Sequence, residues 1–173
     1  SYALGYKKLT ENLKIENCYV YGYDEGSLIS GKKTGGGGYG RIKFGTESNG
    51  GFKNVTVKNC YLESSQGLLL EIVDGGIMEN VHISNIDMKD VTVPIFIRLG
   101  NRGRGPNNPV KGTIKDIFIK NINATIYSGD ESKLTNLRHL ECLKLPCIIS
   151  GIPDNYINNI VLKDINIRFR GEG

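Results

Sequence analysis

Tryptophan is absent from this chain, proline occurs five times, and there are two histidines and four cysteines. Each shortage removes a class of explanation. The cysteines, Cys18, Cys60, Cys142 and Cys147, include no C-x-x-C pair, which argues against a zinc site. His82 and His139 have no nucleophile or acid at motif spacing, so surface roles are expected for both. The N-terminus, SYALGYKKLTEN, carries neither a leading basic segment nor an apolar run, and shows no signal peptide or membrane span. A glycine run, Gly35 to Gly38, is followed by a strand rather than by Lys-Ser/Thr and a helix, which rules out a P-loop reading. A net charge of +4 is mild; it suits an acidic partner and is too weak to point to nucleic acid.

What the chain has in excess is glycine, 23 in 173 residues without collagen periodicity, and this suggests many tight corners. Hydrophobic residues at 39% and charged residues at 23% are an ordinary globular mixture. The strongest signal is internal repetition. Segments starting at Glu11, Lys53, Glu79, Lys115 and Asn158 all read polar, Asn/Asp, apolar, any, apolar, polar, Asn/Asp, apolar. Two apolar residues flanking one variable position form a short half-buried strand. Repeats anchored on Asn54 and Asn80 lie 26 residues apart, and the wider spacings are explained by insertions.

Strands at that period with no intervening helix predict an all-β parallel β-helix, each coil stacking on the last at roughly 4.8 Å. Asn17, Asn59, Asn85 and Asn121, with Asp164, are expected to form a side-chain ladder at a bend. Cys18 and Cys60 share the slot of Ile86, Ile122 and Ile165, which makes them small core residues. Residues 1–173 read as one β-helix domain with loop insertions near 31–39, 99–109 and 127–147. In the last of these, Leu134, Leu137 and Leu140 suggest a short amphipathic helix. Asn54-Val55-Thr56 and Asn123-Ala124-Thr125 match glycosylation sequons but sit in or beside repeats, and read as chance matches.

Alternation in Arg41-Ile42-Lys43-Phe44 places Arg41 and Lys43 on the face opposite Ile42 and Phe44. In Leu68 to Ile72 it turns Leu68, Leu70 and Ile72 inward, and Leu69 and Glu71 outward. If these strands stack, an outward basic pair lies near an outward acid. Candidate catalytic carboxylates are Asp24, Glu25, Glu47, Glu71 and Asp74, all at corners or outward strand positions. Two facing carboxylates can have their pKa values pushed apart, one serving as acid and the other as base. Arg41 and Lys43 suit a uronate carboxylate. Arg98 and Arg102 are further anion-binding candidates, the second in a basic loop from Leu99 to Pro106 that is entered from Arg98; a merely solvated loop is the alternative.

The repeats ending Asn-Cys, the stretch Gly40 to Gly51, and Gly67 to Gly76 together resemble glycoside hydrolase family 28, the polygalacturonases and their bacterial relatives. The resemblance runs through nearly the whole chain and is most specific between Gly40 and Gly51. It implies a right-handed parallel β-helix and hydrolysis of galacturonan or a related pectic chain with inversion. One carboxylic acid then protonates the leaving oxygen while another carboxylate activates water, roughly 6.5–9.5 Å away. Arg41-Ile42-Lys43 matches the family's Arg-Ile-Lys strand literally; on a second alignment, through Gly45 to Gly51, the place of the corner histidine falls at Gly40 and the later Arg and Lys fall at Leu69 and Glu71, and neither alignment yields a histidine. The family's Asp pair is expected just before Ser1, with Asp24-Glu25 as an alternative acidic pair. The resemblance further implies an extracellular or periplasmic protein without cofactor or metal, acting as a monomer on acidic polysaccharide away from nucleic acid and membranes. The chain reads as a C-terminal portion, with uncapped coil ends expected to lower solubility. Two other readings are a calcium-dependent polysaccharide lyase and a non-catalytic glycan-binding β-helix.

Overall fold

A computed structural model describes residues 7–22, 41–47, 49–104, 111–127 and 147–169. Ten strands follow in order: β1 (Thr10–Glu16), β2 (Tyr19–Tyr21), β3 (Arg41–Phe44), β4 (Gly51–Glu63), β5 (Gly67–Ile72), β6 (Ile77–Val91), β7 (Ile95–Leu99), β8 (Thr113–Ile126), β9 (Cys147–Ser150) and β10 (Asn158–Arg168). They form two sheets. The larger runs β1-β4-β6-β8-β10, with β2 beside β4, and the smaller runs β3-β5-β7-β9. Every pairing between these strands is parallel. Each coil gives one long strand to the larger sheet and one short strand to the smaller, then climbs to the next. That is the expected parallel β-helix, and no helix occurs among the described residues. The glycine run, Cys142 and the expected helix between 130 and 143 lie outside them.

The long strands are bent, and the repeat template shows why. Each has a pair of residues in the left-handed region five positions apart: Asn54 and Asn59, Asn80 and Asn85, Asp116 and Asn121, Asn159 and Asp164, with Asn12 and Asn17 in the first coil; β6 has a third, Asp90. Their φ values lie between 52° and 58°. Asn and Asp tolerate this conformation better than other side-chain-bearing residues, so the Asn/Asp slots of the template are the corners of the coil. The expected ladder is present through its four asparagines: Asn59 donates to Asn17 over 3.3 Å, Asn85 to Asn59 over 3.0 Å and Asn121 to Asn85 over 2.8 Å. Asp164, expected as the fifth member, has no amide to donate to Asn121 and does not extend it. The other corner carries a second ladder, with Asn54 donating to Asn12 over 3.1 Å, Asn80 to Asn54 over 2.8 Å and Asn159 to Asp116 over 2.7 Å. The ladder partners are 42, 26, 36 and 43 residues apart from coil to coil. The 26-residue step is the bare coil, and the others contain the insertions.

Inside the coil, equivalent apolar residues stack in columns. Val55, Val81 and Ile117 form one, Val57, Ile83 and Ile119 another, and Cys60, Ile86 and Ile122 a third; all are buried. Leu68 and Ile95 with Ile42, and Leu70 and Ile97 with Phe44, close the core from the smaller sheet. Burial of each such side chain is worth about 1.5–3 kcal/mol. Cys18 and Cys60 are free thiols packed in or against this core, as their slot predicts. The two sequon asparagines, Asn54 and Asn123, are both engaged in side-chain hydrogen bonds between coils.

Candidate active site on the smaller sheet

The outward face of the smaller sheet is where register matters. Lys43 pairs with Leu69, Leu69 with Phe96, and Glu71 with Arg98. Glu71 therefore sits one side-chain step along the strand from the Lys43 row and directly against the next coil's arginine. Its carboxylate oxygen lies 3.6 Å from the Arg98 guanidinium. Beyond Phe44 the chain turns at Gly45, whose φ is +110°; a Cβ there would come within 2.1 Å of the Glu71 carbonyl oxygen. Only glycine permits this approach, so the corner leading to Glu47 is pressed against the backbone of Glu71.

Alternation alone places Leu69 and Glu71 outward, toward solvent. The structure keeps them on that side of the sheet but buries both, Glu71 to 6% exposure. The reason is position: β5 is an interior strand, flanked by Lys43 on one side and by Phe96 and Arg98 on the other. Burial raises the Glu71 pKa above the ordinary carboxylate value, against the pull of Arg98, Lys43, Arg102 and Arg41. Burial likewise lowers the Lys43 pKa, helped by Arg41 and Arg102 and opposed by Glu71 and Glu47. Four cations and two carboxylates thus act on one another across a single wall.

The expected residues divide. Arg41, Lys43, Glu47, Glu71, Arg98 and Arg102 meet in one electrostatic cluster. Glu47 is exposed at the corner after β3. Asp74 is fully buried and has both oxygens engaged. Arg102 donates from Nε to Oδ1 over 3.1 Å and from Nη2 to Oδ2, and the Arg104 backbone N–H donates to Oδ1 over 3.0 Å. The Gly100 and Arg102 amides also bond the Ile72 and Val73 carbonyls, over 2.8 and 2.6 Å. Asp74 is therefore the anchor that folds the basic loop back onto the coil and fixes Arg102 beside the wall. No sequence signal joins these two residues, because Arg102 lies in an insertion one coil after Asp74 whose path the repeat template does not fix. Asp24 and Glu25 lie outside the described residues, as does Gly40. Among the described residues no group of three or more His, Cys, Asp or Glu side chains is arranged to hold a metal ion.

What the arrangement can do is specific: a carboxyl group biased toward its protonated form stands among cations that attract an anionic ligand. No curated protein and no solved structure matches the chain. A protein-family model does match, that of the glycosyl hydrolases family 28, over residues 8–152. The match takes in β1 through β9, with the Glu71 wall, and by it the chain belongs to glycosyl hydrolases family 28.

Proposed function

We propose that this chain works in hydrolysis of a uronate-containing, pectic polysaccharide, with Glu71 as general acid. The observation that carries the proposal is the buried Glu71 carboxyl, its pKa raised, set among Arg41, Lys43, Arg98 and Arg102. Glu71 delivers its proton to the glycosidic oxygen as the bond to the anomeric carbon breaks. Water enters from the opposite face, losing its proton to a second carboxylate, and configuration inverts. Glu47 is the second carboxylate available on the wall; Asp24 and Glu25 are the alternatives for that role. Arg41, Lys43, Arg98 and Arg102 receive the uronate carboxylates, with Arg102 oriented by Asp74. The expected setting is extracellular or periplasmic, where such polymers are met.

A general acid contributes about 10²–10⁴-fold. Glu71→Gln is isosteric and has no carboxyl proton to deliver, so release of reducing ends from polygalacturonate should fall by that factor while polymer binding persists. Binding of polygalacturonate by the unaltered protein with no release of reducing ends would instead identify a non-catalytic glycan-binding coil. An ultraviolet-absorbing unsaturated product would identify a lyase.

A further inference from the structure

A second surface lies on the larger sheet, on the straight segment between the two ladders. Its outward positions form two rows running across the coils. One row is Thr56, His82, Phe118 and Val161, and the other is Lys58, Ser84, Lys120 and Lys163. His82 and Phe118 stack with ring centroids 4.8 Å apart and planes 14° from parallel. The stack is held in place by a break in the ladder. Asp116 stands where the next asparagine would be and has no amide to donate to Asn80. The Asn80 Oδ1 accepts instead from His82 Nε2, over 2.8 Å. Beside the rings, Ser84 is short, and a depression of about 390 Å³ opens between Phe118, Lys120, Val161 and Lys163.

The cations are the second observation. Lys58 pairs with Glu16 at 2.7 Å, a carboxylate it shares with Lys14. Lys120 and Lys163 are exposed, stand directly opposite one another in adjacent coils, and form no ion pair among the described residues. Like charges in facing positions repel, and among the described residues no acid offsets the cost for this pair. A flat apolar ring face beside two uncompensated cations, one coil apart, matches an acidic sugar. The pyranose C–H face packs on the ring and the carboxylates bridge the lysines. The partner's negative charge follows from the unpaired lysines, and its flat apolar face from the rigid aromatic stack.

We infer that this face is a second, non-catalytic binding site for an acidic polysaccharide, separate from the Glu71 wall on the other sheet. The inference rests on the reading of the chain as one that meets uronate polymers, and it assigns a further face to the same class of ligand. A chain held here would keep a long substrate at the protein surface while another stretch occupies the wall.

Isothermal titration with polygalacturonate in the Glu71→Gln background tests it, because cleavage there is slowed about 10²–10⁴-fold. Lys120→Gln/Lys163→Gln, which removes two charge-assisted contacts, should weaken binding of the long polymer at least about fivefold at low salt, and Phe118→Ala, which removes the stacking platform, should do so similarly. Binding of a short oligogalacturonate, which the wall can accommodate alone, should not change. Unaltered affinity for the long polymer in both variants overturns the inference, as does equal affinity for neutral galactan or higher affinity for single-stranded DNA. Lys43→Gln/Arg98→Gln separates the two sites. If that variant leaves binding intact, the wall reading fails, and the second site is still decided by Lys120 and Lys163.

Discussion

Asn85 is the residue at which the cost of a corner can be divided into its parts. It sits at φ 56°, donates to Asn59 over 3.0 Å and accepts from Asn121 over 2.8 Å. Replacing it with alanine removes both bonds, each worth about 0.5–1 kcal/mol at an exposed site, and forces a Cβ-bearing residue without a local hydrogen bond into the left-handed region, at about 1–2 kcal/mol. Asn85→Ala should therefore destabilise by about 2–4 kcal/mol. Asn85→Gly also removes both bonds but adopts the same φ freely, so it should be milder by about 1 kcal/mol. Asn85→Asp keeps the acceptor for Asn121 and, once protonated, has an O–H that can donate to Asn59, so it should be the mildest of the three at low pH. Denaturant titration followed by circular dichroism measures all three midpoints. Equal losses for alanine and glycine would refute the argument from backbone conformation. A loss under about 0.5 kcal/mol in every variant would refute the ladder as a contributor to coil stacking.

The remaining predictions concern the wall. Arg102→Ala should destabilise more than Asp74→Asn, because Asp74 has no exposed side-chain surface whereas Arg102 keeps 27%. Removing the arginine strands a buried charge, at about 3 kcal/mol or more, while removing the acid frees a cation that can turn to water. Thermal melts of both variants at neutral pH check the order, and an equal or reversed order contradicts the anchoring role. Glu71 sets a pH dependence whose sign is opposite to that of a salt-bridged acid. Its folded pKa lies above the unfolded value near 4.5, so the folded state binds more protons between the two, and its contribution to stability declines as pH rises through that window. Glu71→Gln should accordingly match the unaltered protein below that window and be the more stable of the two above it, in melts recorded across the acid range.

The coil architecture was legible because its causes are local. Ile42 and Phe44 alternate with Arg41 and Lys43 within four residues, and the template Asn/Asp, apolar, any, apolar repeats within each strand. The ladder through Asn59 and Asn85 follows from the same spacing. Its companion through Asn54 and Asn80 occupies the other Asn/Asp slot of the template. Whether a strand bends there depends on the cross-section of the coil, which no single repeat reveals. The site was legible only as a set of outward positions. That Glu71 is buried depends on Lys43 and Arg98, its flanking-strand neighbours from other coils. That Asp74 is engaged rather than open depends on the route of the loop carrying Arg102. Both are consequences of stacking between coils, and pattern within one strand carries no record of them. The Phe118 platform escaped notice for the same reason, since its partner His82 belongs to the preceding coil.

The central claim is that stacking coils place a carboxyl among cations and still leave it biased toward its protonated form. Titration of Glu71 carrying a ¹³C label in its carboxyl, followed by nuclear magnetic resonance, tests this most directly. The midpoint should lie above 4.5, the ordinary glutamate value, and should climb further in Lys43→Gln and Arg98→Gln, whose cations oppose the effect of burial. A midpoint at or below that value, or one indifferent to both substitutions, would contradict the claim.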